Sequence, residues 1–502
     1  MISALLVPLA VIASTAAKPN IVVVMTDDLG WQDVSVPMHT ETTPLNEQWH
    51  TPALERLAAQ GTVCTNGYAA APVCTPTRVS LMTGQMPCRH NVTYWTLHHD
   101  RDTSKNRPRI AAPAWAKEGL QPGTPTLPGV LRHAGYRTIH AGKAHFGAHG
   151  TKGSDPSNLG FDVNIAGHGS GAPSSFLGIH NFSSAGRKHA RNPDADPIGP
   201  TVWDVPGLED YHGKDVFLTE ALCTEALKAL DQAVADDTPV FLYFAPYAVH
   251  APIMANTKLL GRYEGLHTTE AAYGTMIESV DQALGRILDR LDHHSIADNT
   301  IVVFTSDNGG LSAHARGGTA NTHNAPLKSG KGSSYEGGTR VPWVVRWPGI
   351  TKAGSRIDTP VITQDLAPTL ARAAGAAFPQ THPIDGVDLR SILADGANPS
   401  RSLVWHQPHQ WGASGPGIEP FTSLRHGPWK LLVFHDGPRV ELYDVSGDIS
   451  EERDLALGRP DVVDAMLGYL KRIAVGTGLQ MSIDKSTGEP VAIPEAAQPA
   501  QG

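Results

Sequence analysis

Short runs of β-branched and aromatic residues alternate along this chain with longer stretches of helical periodicity. Residues 21–25, 138–140, 241–244 and 301–304 are nearly continuous in Val, Ile, Phe or Thr and read as buried strands. Residues 220–234 and 272–291 carry apolar positions at helical spacing, so they predict helices whose apolar stripes pack on a sheet. This alternation predicts an α/β fold, a mostly parallel sheet covered by helices on both faces. The segment Gly396-Ala397-Asn398-Pro399 reads as a loop, which divides a large domain over 18–395 from a smaller unit over 396–480. Residues 481–502, rich in Pro, Ala, Gln and Glu, read as a flexible tail.

In a parallel sheet, ligands gather at the carboxyl ends of the strands, and here those ends carry reactive side chains. The first run leads into Asp27 and Asp28, and the last into Asp307 and Asn308. Between them, Lys143 and His145 follow the second run and His250 follows the third. The four residues Asp27, Asp28, Asp307 and Asn308 offer only hard oxygen donors, the set expected for calcium or magnesium rather than zinc. Taken singly, each pair also reads as a turn or helix cap. Lys331 lies between Gly330 and Gly332 in the Gly-rich stretch 324–349, where the bare backbone lets a cation approach an anion closely. The same lysine reads equally as a solvated surface residue, and Arg78 as a simple carboxylate partner.

Composition narrows the partners. Forty percent apolar and 18% charged residues over 502 positions describe an ordinary soluble protein, and a formal charge of -9 disfavours nonspecific binding to nucleic acid. Residues 1–17 are apolar, too short to span a bilayer, and end in small residues that suit signal-peptidase cleavage, so they predict export to an extracytoplasmic compartment. An uncleaved first strand or lipid-facing anchor is the structural alternative. No later run is long enough to cross a membrane. Four cysteines are too few for a disulfide scaffold.

The most specific signal is Cys74-Thr75-Pro76-Thr77-Arg78-Val79-Ser80-Leu81-Met82-Thr83-Gly84. Pro76 and Thr77 suit the start of a helix, whose free amides favour an anion. The run matches the maturation signature of type I sulfatases, in which the cysteine becomes formylglycine. Further blocks follow in family order: Gly142-Lys143-Ala144-His145-Phe146-Gly147, His250-Ala251-Pro252, Ser306-Asp307-Asn308-Gly309, Gly330-Lys331-Gly332, Glu336-Gly337-Gly338 and Asp365-Leu366-Ala367-Pro368-Thr369. From about Pro19 to Leu455 the chain resembles a formylglycine-dependent, arylsulfatase-like enzyme of the alkaline phosphatase superfamily.

That resemblance implies a large mixed, mostly parallel sheet sandwiched by helices, followed by a C-terminal α+β subdomain with an antiparallel sheet around Trp429-Lys430-Leu431 and Glu441-Leu442-Tyr443-Asp444. It implies hydrolysis of a sulfate ester, with Asp27, Asp28, Asp307, Asn308 and an oxygen of modified Cys74 on one calcium ion. It implies Arg78 against the formylglycine hydrate, Lys143, Lys331 and His250 on the sulfate or leaving oxygen, and His145 as the base that restores the aldehyde. A formylglycine-generating enzyme is then a partner in maturation, and a sulfated carbohydrate or aryl sulfate is the substrate. Ala144 and Lys328 depart from the family's usual aromatic and arginine. Outside the shared blocks, aromatic and hydrogen-bonding residues mix in 93–101 and 405–411, and His98, Asp100, Arg101 and His409 are expected to shape a carbohydrate pocket for galactose-type or N-acetylgalactosamine sugars. A phosphonate monoester or phosphodiester hydrolase of the same superfamily remains an alternative, as does a noncatalytic, calcium-dependent carbohydrate-binding protein.

Overall fold

The computed structural model describes residues 18–105, 107–187, 199–312, 316, 318–412, 415–437 and 439–495. Its largest sheet has eight strands among the described residues. In spatial order they are Ser355–Ile357, Thr62–Cys64, Trp343–Arg346, Thr300–Ser306, Asn20–Thr26, Val240–Ala245, Arg137–Gly142 and Val163–Ile165. Only Trp343–Arg346 runs antiparallel to its neighbours, so the sheet is mixed but mostly parallel.

Both faces of this sheet are covered, which is why its central strands read as continuous apolar runs. Alternate residues of Asn20–Thr26 point to opposite faces. Val22 and Val24 pack toward the helices Leu218–Ala235 and Thr268–His293, the two helices the periodicity predicts. Ile21, Val23 and Met25 enter a second apolar cluster with Val79, Leu81 and Met82 of the helix Cys74–Thr83. Parallel register then decides the chemistry. Thr26 pairs with Ser306, and Gly142 with Ala245, so Asp27, Asp307 and Lys143 leave the sheet along one edge.

Beyond the loop that follows Gly396, a four-stranded antiparallel sheet forms from Ser402–Gln407, Phe421–His426, Trp429–Phe434 and Arg439–Asp444. One face packs Trp405, Phe421 and Leu432 against Tyr68 and Tyr335 of the larger unit. The other face is covered by the helix Pro460–Thr477 through Val463, Met466 and Leu470. Lys430 is fully buried where the two units meet, 2.9 Å from carboxylate oxygens of both Glu336 and Glu451.

The tail expectation needs correction. Met481 and Ser482 are buried, and Ile483–Asp484 pairs antiparallel with Ile110–Ala111. Ser482 also bonds the ring of His435 at 2.8 Å. Backbone pairing and burial anchor a segment whose composition alone reads as a free end. Residues 1–17, expected to be a signal peptide, and residues 496–502 lie outside the described residues. Among the described residues no helix is long and apolar enough to cross a membrane, and all four thiols are free and buried.

Candidate active site

Cys74 is the first residue of the helix Cys74–Thr83, and this whole helix is buried. Thr77 ties the helix start to the preceding loop, accepting from the Ala71 amide at 2.9 Å and donating to the Ala71 carbonyl at 3.1 Å. One turn on, Arg78 extends beneath Cys74 on the same helix face. Its Nε donates to Asp307 Oδ2 at 2.8 Å, and its Nη1 to the Lys143 carbonyl at 3.0 Å and the Tyr243 hydroxyl at 3.2 Å. Asp307 and Lys143 follow two strand ends and Tyr243 lies within a third strand, so one guanidinium cross-links three strands of the sheet.

The acidic residues converge as the strand register requires. Asp28 adopts a left-handed backbone with φ of 61°, and its amide donates to Asp307 Oδ1 at 3.2 Å. Lys143 Nζ donates to both Asp27 oxygens at 2.8 Å, and Lys331 Nζ lies 2.6 Å from Asp28 Oδ1. Arg78, Lys143 and Lys331 thus face three buried carboxylates. Full burial pushes the Asp27 carboxyl well above the usual range, with Lys143 opposing it. Burial also raises Asp28, but Lys331 and His250 outweigh it and hold that carboxyl low. Asp307 is held low in the same way, chiefly by Arg78 and Lys143.

Two oxygens in this cluster are buried without a hydrogen-bond partner, Asp28 Oδ2 and Asn308 Oδ1. His250 Nε2 lies 3.6 Å from that same Asp28 oxygen. Its Nδ1 sits 2.7 Å from the Ala251 carbonyl, which can only accept, so Nδ1 carries the proton and Nε2 presents a lone pair. Burial holds this ring neutral, with its pKa lowered to about 3. A lone pair facing an orphaned carboxylate oxygen is a place for a cation. Asp27, Asp28 and His250 bring ligand atoms within 4.8 Å of one another, and Asn308 adds its amide to the same group through a 2.8 Å bond to Asp28. Most of these donors are hard oxygens, so the set fits calcium or magnesium better than zinc.

His145 also has a left-handed backbone, with φ of 50°. Its Nε2 lies 2.8 Å from the Thr96 carbonyl and 3.1 Å from Thr75 Oγ1, while Nδ1 is buried with no partner. The carbonyl accepts only, so the proton is on Nε2 and the lone pair on Nδ1. Burial, with Lys143 adding to it, keeps the ring's pKa well below the usual value. Thr75 stands inside the signature run, so its presence was legible but its role was not. Thr96 acts through a backbone carbonyl, which no residue type announces. The departure at Ala144 leaves a fully buried methyl in the apolar cluster with Phe146, and Lys328 lies over the Tyr335 ring at 3.8 Å.

The four residues expected to shape a sugar pocket fare differently. His98 is half-buried, its ring 5.8 Å from that of His149, while Asp100 and Arg101 are exposed. His409 does not line an open wall. It is fully buried, stacked on Tyr94 at 4.7 Å, edge-on to Trp115, and bonded to Thr93 Oγ1 at 2.8 Å. Tyr94 covers one face of that ring. A surface cleft of about 690 Å³ lined by Pro125, Val130 and Pro379 holds none of the residues above.

A sequence model of the family described as Sulfatase matches residues 19–376. The chain belongs to the sulfatase family. It is therefore a sulfuric ester hydrolase with the α/β fold of the alkaline phosphatase superfamily. A second family model, N-sulphoglucosamine sulphohydrolase, C-terminal, matches residues 330–467. Among curated relatives, the N-acetylgalactosamine-6-sulfatase of Mus musculus is 32% identical over 79% of this chain and 70% of its own length. A protein named Sulfatase from Formosa agariphila is 29% identical over 88% of this chain and 85% of its own. Of solved structures, Ps i-CgsB in complex with k-i-k-neocarrahexaose superposes with a TM-score of 0.72 at 27% identity, covering 91% of this chain and 93% of that one.

Proposed function

We propose that this sulfatase hydrolyses a sulfate ester on a carbohydrate, with Cys74 in its formylglycine form as the nucleophile and calcium at the acidic cluster. The observation that carries the reading is the meeting of Cys74, at the start of a buried helix, with Arg78, Lys143, Lys331 and His250 around three carboxylates. Hydration of formylglycine supplies two hydroxyls on one carbon, one to attack sulfur and one to let the adduct collapse. Asp27, Asp28, Asp307 and Asn308 would hold the calcium ion, together with an oxygen of modified Cys74. When bound, the ion supplies positive charge to the sulfate oxygens and the nucleophile.

The protein's own groups account for the rest. Arg78, fixed on three acceptors, orients the nucleophile and favours its ionised form. Lys143 and Lys331 neutralise charge on the sulfate oxygens, a preorganised stabilisation worth about 3 kcal/mol for a single well-placed donor. His250, neutral and with Nε2 bare, accepts a hydrogen bond at the site, and the proton for the leaving oxygen comes from a neighbouring cation, Lys143 or Lys331. His145 takes the proton from the second hydroxyl through Nδ1, because Nε2 is already committed to Thr96. The names of the relatives support sulfated galactose-type or N-acetylgalactosamine units as substrate, and the apolar run 1–17 supports export. Maturation requires a formylglycine-generating enzyme.

The test is mass spectrometry of the Cys74 peptide after coexpression with that enzyme, followed by turnover on paired aryl sulfate and aryl phosphodiester substrates. The expected peptide is lighter by about 18 Da, the change from thiol to aldehyde, and the sulfate ester is the faster substrate. An unmodified thiol alongside a converted control peptide would remove the nucleophile from this reading. Preference for the phosphodiester would move the enzyme to the neighbouring hydrolase class.

A further inference from the structure

The segment 405–411 mixes rings with hydrogen-bonding groups, and the fold uses nearly all of them internally. Trp405 is fully buried, its indole N–H donating to the Ala69 carbonyl at 2.8 Å. His406 bonds Thr422 and the Gln480 carbonyl, and His409 is enclosed by Tyr94 and Trp115. Trp411 alone among these rings keeps part of its surface, being half-buried. Its indole lies against the backbone of Gly332, where a Cβ would meet Trp411 Cδ1 at 1.9 Å. Lys331 Nζ, in contact with Asp28, is 5.6 Å from the centre of the same ring. The ring therefore stands beside the group that faces the sulfate.

Its placement is braced. Tyr94 meets the indole edge-on at 5.9 Å, and the Tyr94 hydroxyl donates to the Gln410 carbonyl at 2.9 Å. The Trp411 amide donates to the Ile418 carbonyl at 3.0 Å. Arg107 donates to Gln410 Oε1 at 2.8 Å and pairs with Asp436. A rigid aromatic plane held beside a buried lysine buries area at little entropic cost, which is the property that makes Trp an anchor for ligands.

We propose that Trp411 is the sugar platform of this site: its indole covers the apolar face of the sulfated ring while the ester sulfate reaches Lys331 and Cys74. This rests on the carbohydrate reading above and names the residue through which the C-terminal unit selects substrate. The class of ligand is a pyranose with a C–H face free to lie on an indole, its sulfate projecting from the edge.

Calorimetry on the full-length protein, with galactose 6-sulfate and inorganic sulfate as separate probes, tests it. Trp411→Ala should weaken the sugar sulfate by about tenfold or more while changing inorganic sulfate much less, and Trp411→Phe should restore most of the loss. Equal loss of both probes would make Trp411 only a brace for Lys331 and overturn the proposal. Unchanged sugar binding in Trp411→Ala would also overturn it, as would a wild-type protein that turns over aryl sulfate but does not bind the sugar. Failure of the sulfatase reading shows separately, as absence of aryl sulfate turnover by matured wild type.

Discussion

Single atoms decide which nitrogen of a histidine can act as base. Thr96 offers His145 a carbonyl that must be met by N–H, and Thr75 Oγ1, itself accepting from the Thr96 amide at 3.2 Å, steadies the same edge of the ring. Thr75→Val keeps the shape and removes that hydroxyl. Its expected cost is about 1 kcal/mol, seen as a roughly fivefold to tenfold drop in kcat with little change in KM. Peptide mass spectrometry must accompany the kinetics, since Thr75 lies in the maturation run, and an unchanged kcat on fully matured protein would remove Thr75 from the base's support. The orphaned oxygens of Asp28 and Asn308 carry a second expectation. Protein treated with chelator should lose turnover and regain it with calcium, and Asp28→Ala should fail to retain the ion in elemental analysis of dialysed protein. Calcium content equal to wild type in that variant would place the ion elsewhere.

Elements transmit these positions through their register and their ends. The parallel pairing of Asn20–Thr26 with Thr300–Ser306 leaves Asp27 and Asp307 side by side, so a slip of one residue would separate them and reverse every buried face. Between the two units the decisive element is the strand Trp429–Phe434, which carries Lys430 into a fully buried pair of carboxylates, Glu336 and Glu451. Lys430→Met leaves Glu451 without its cation and Glu336 with Arg340 alone among its ion pairs. Breaking a buried pair from one side costs about 3–5 kcal/mol, so chemical denaturation should show a markedly lower midpoint. A midpoint within experimental scatter of wild type would mean that Arg340 and Tyr68 satisfy Glu336, and the Glu336 amide satisfies Glu451.

Across the whole molecule, buried histidines set the response to acid. Burial lowers His90, His140, His168 and His409 to about 3 and His406 to about 4, so each stays neutral in the folded chain. Once unfolded, each takes up a proton below about pH 6.5. The unfolded state then binds more protons, and stability present above that pH is lost as the pH falls. Glu451 and Asp281, raised to about 7 by burial, act in the opposite direction, but the histidines outnumber them. Unfolding free energy should fall on acidification from pH 6.5 toward 5, by about 1.4 kcal/mol per pH unit for each histidine in excess. Urea melts across that range check it, and stability that is flat or rises in acid would contradict the balance.

The chain alone was enough for the sheet and the long helices, because continuous apolar runs and helical periodicity are local patterns in composition. It was enough, too, for the family, since the run from Cys74 to Gly84 is contiguous. Other features depend on contacts between residues far apart in the chain. The proton on His145 follows from a carbonyl at Thr96, the anchoring of Ile483–Asp484 from a partner at Ile110–Ala111, and the burial of His409 from rings at Tyr94 and Trp115. Whether a ring in 405–411 meets solvent or protein is fixed by what packs on its faces, and those neighbours come from elsewhere in the chain. Only the folded structure could separate Trp411 from Trp405, because local sequence specifies a residue's chemistry while tertiary packing decides which of its surfaces remain free.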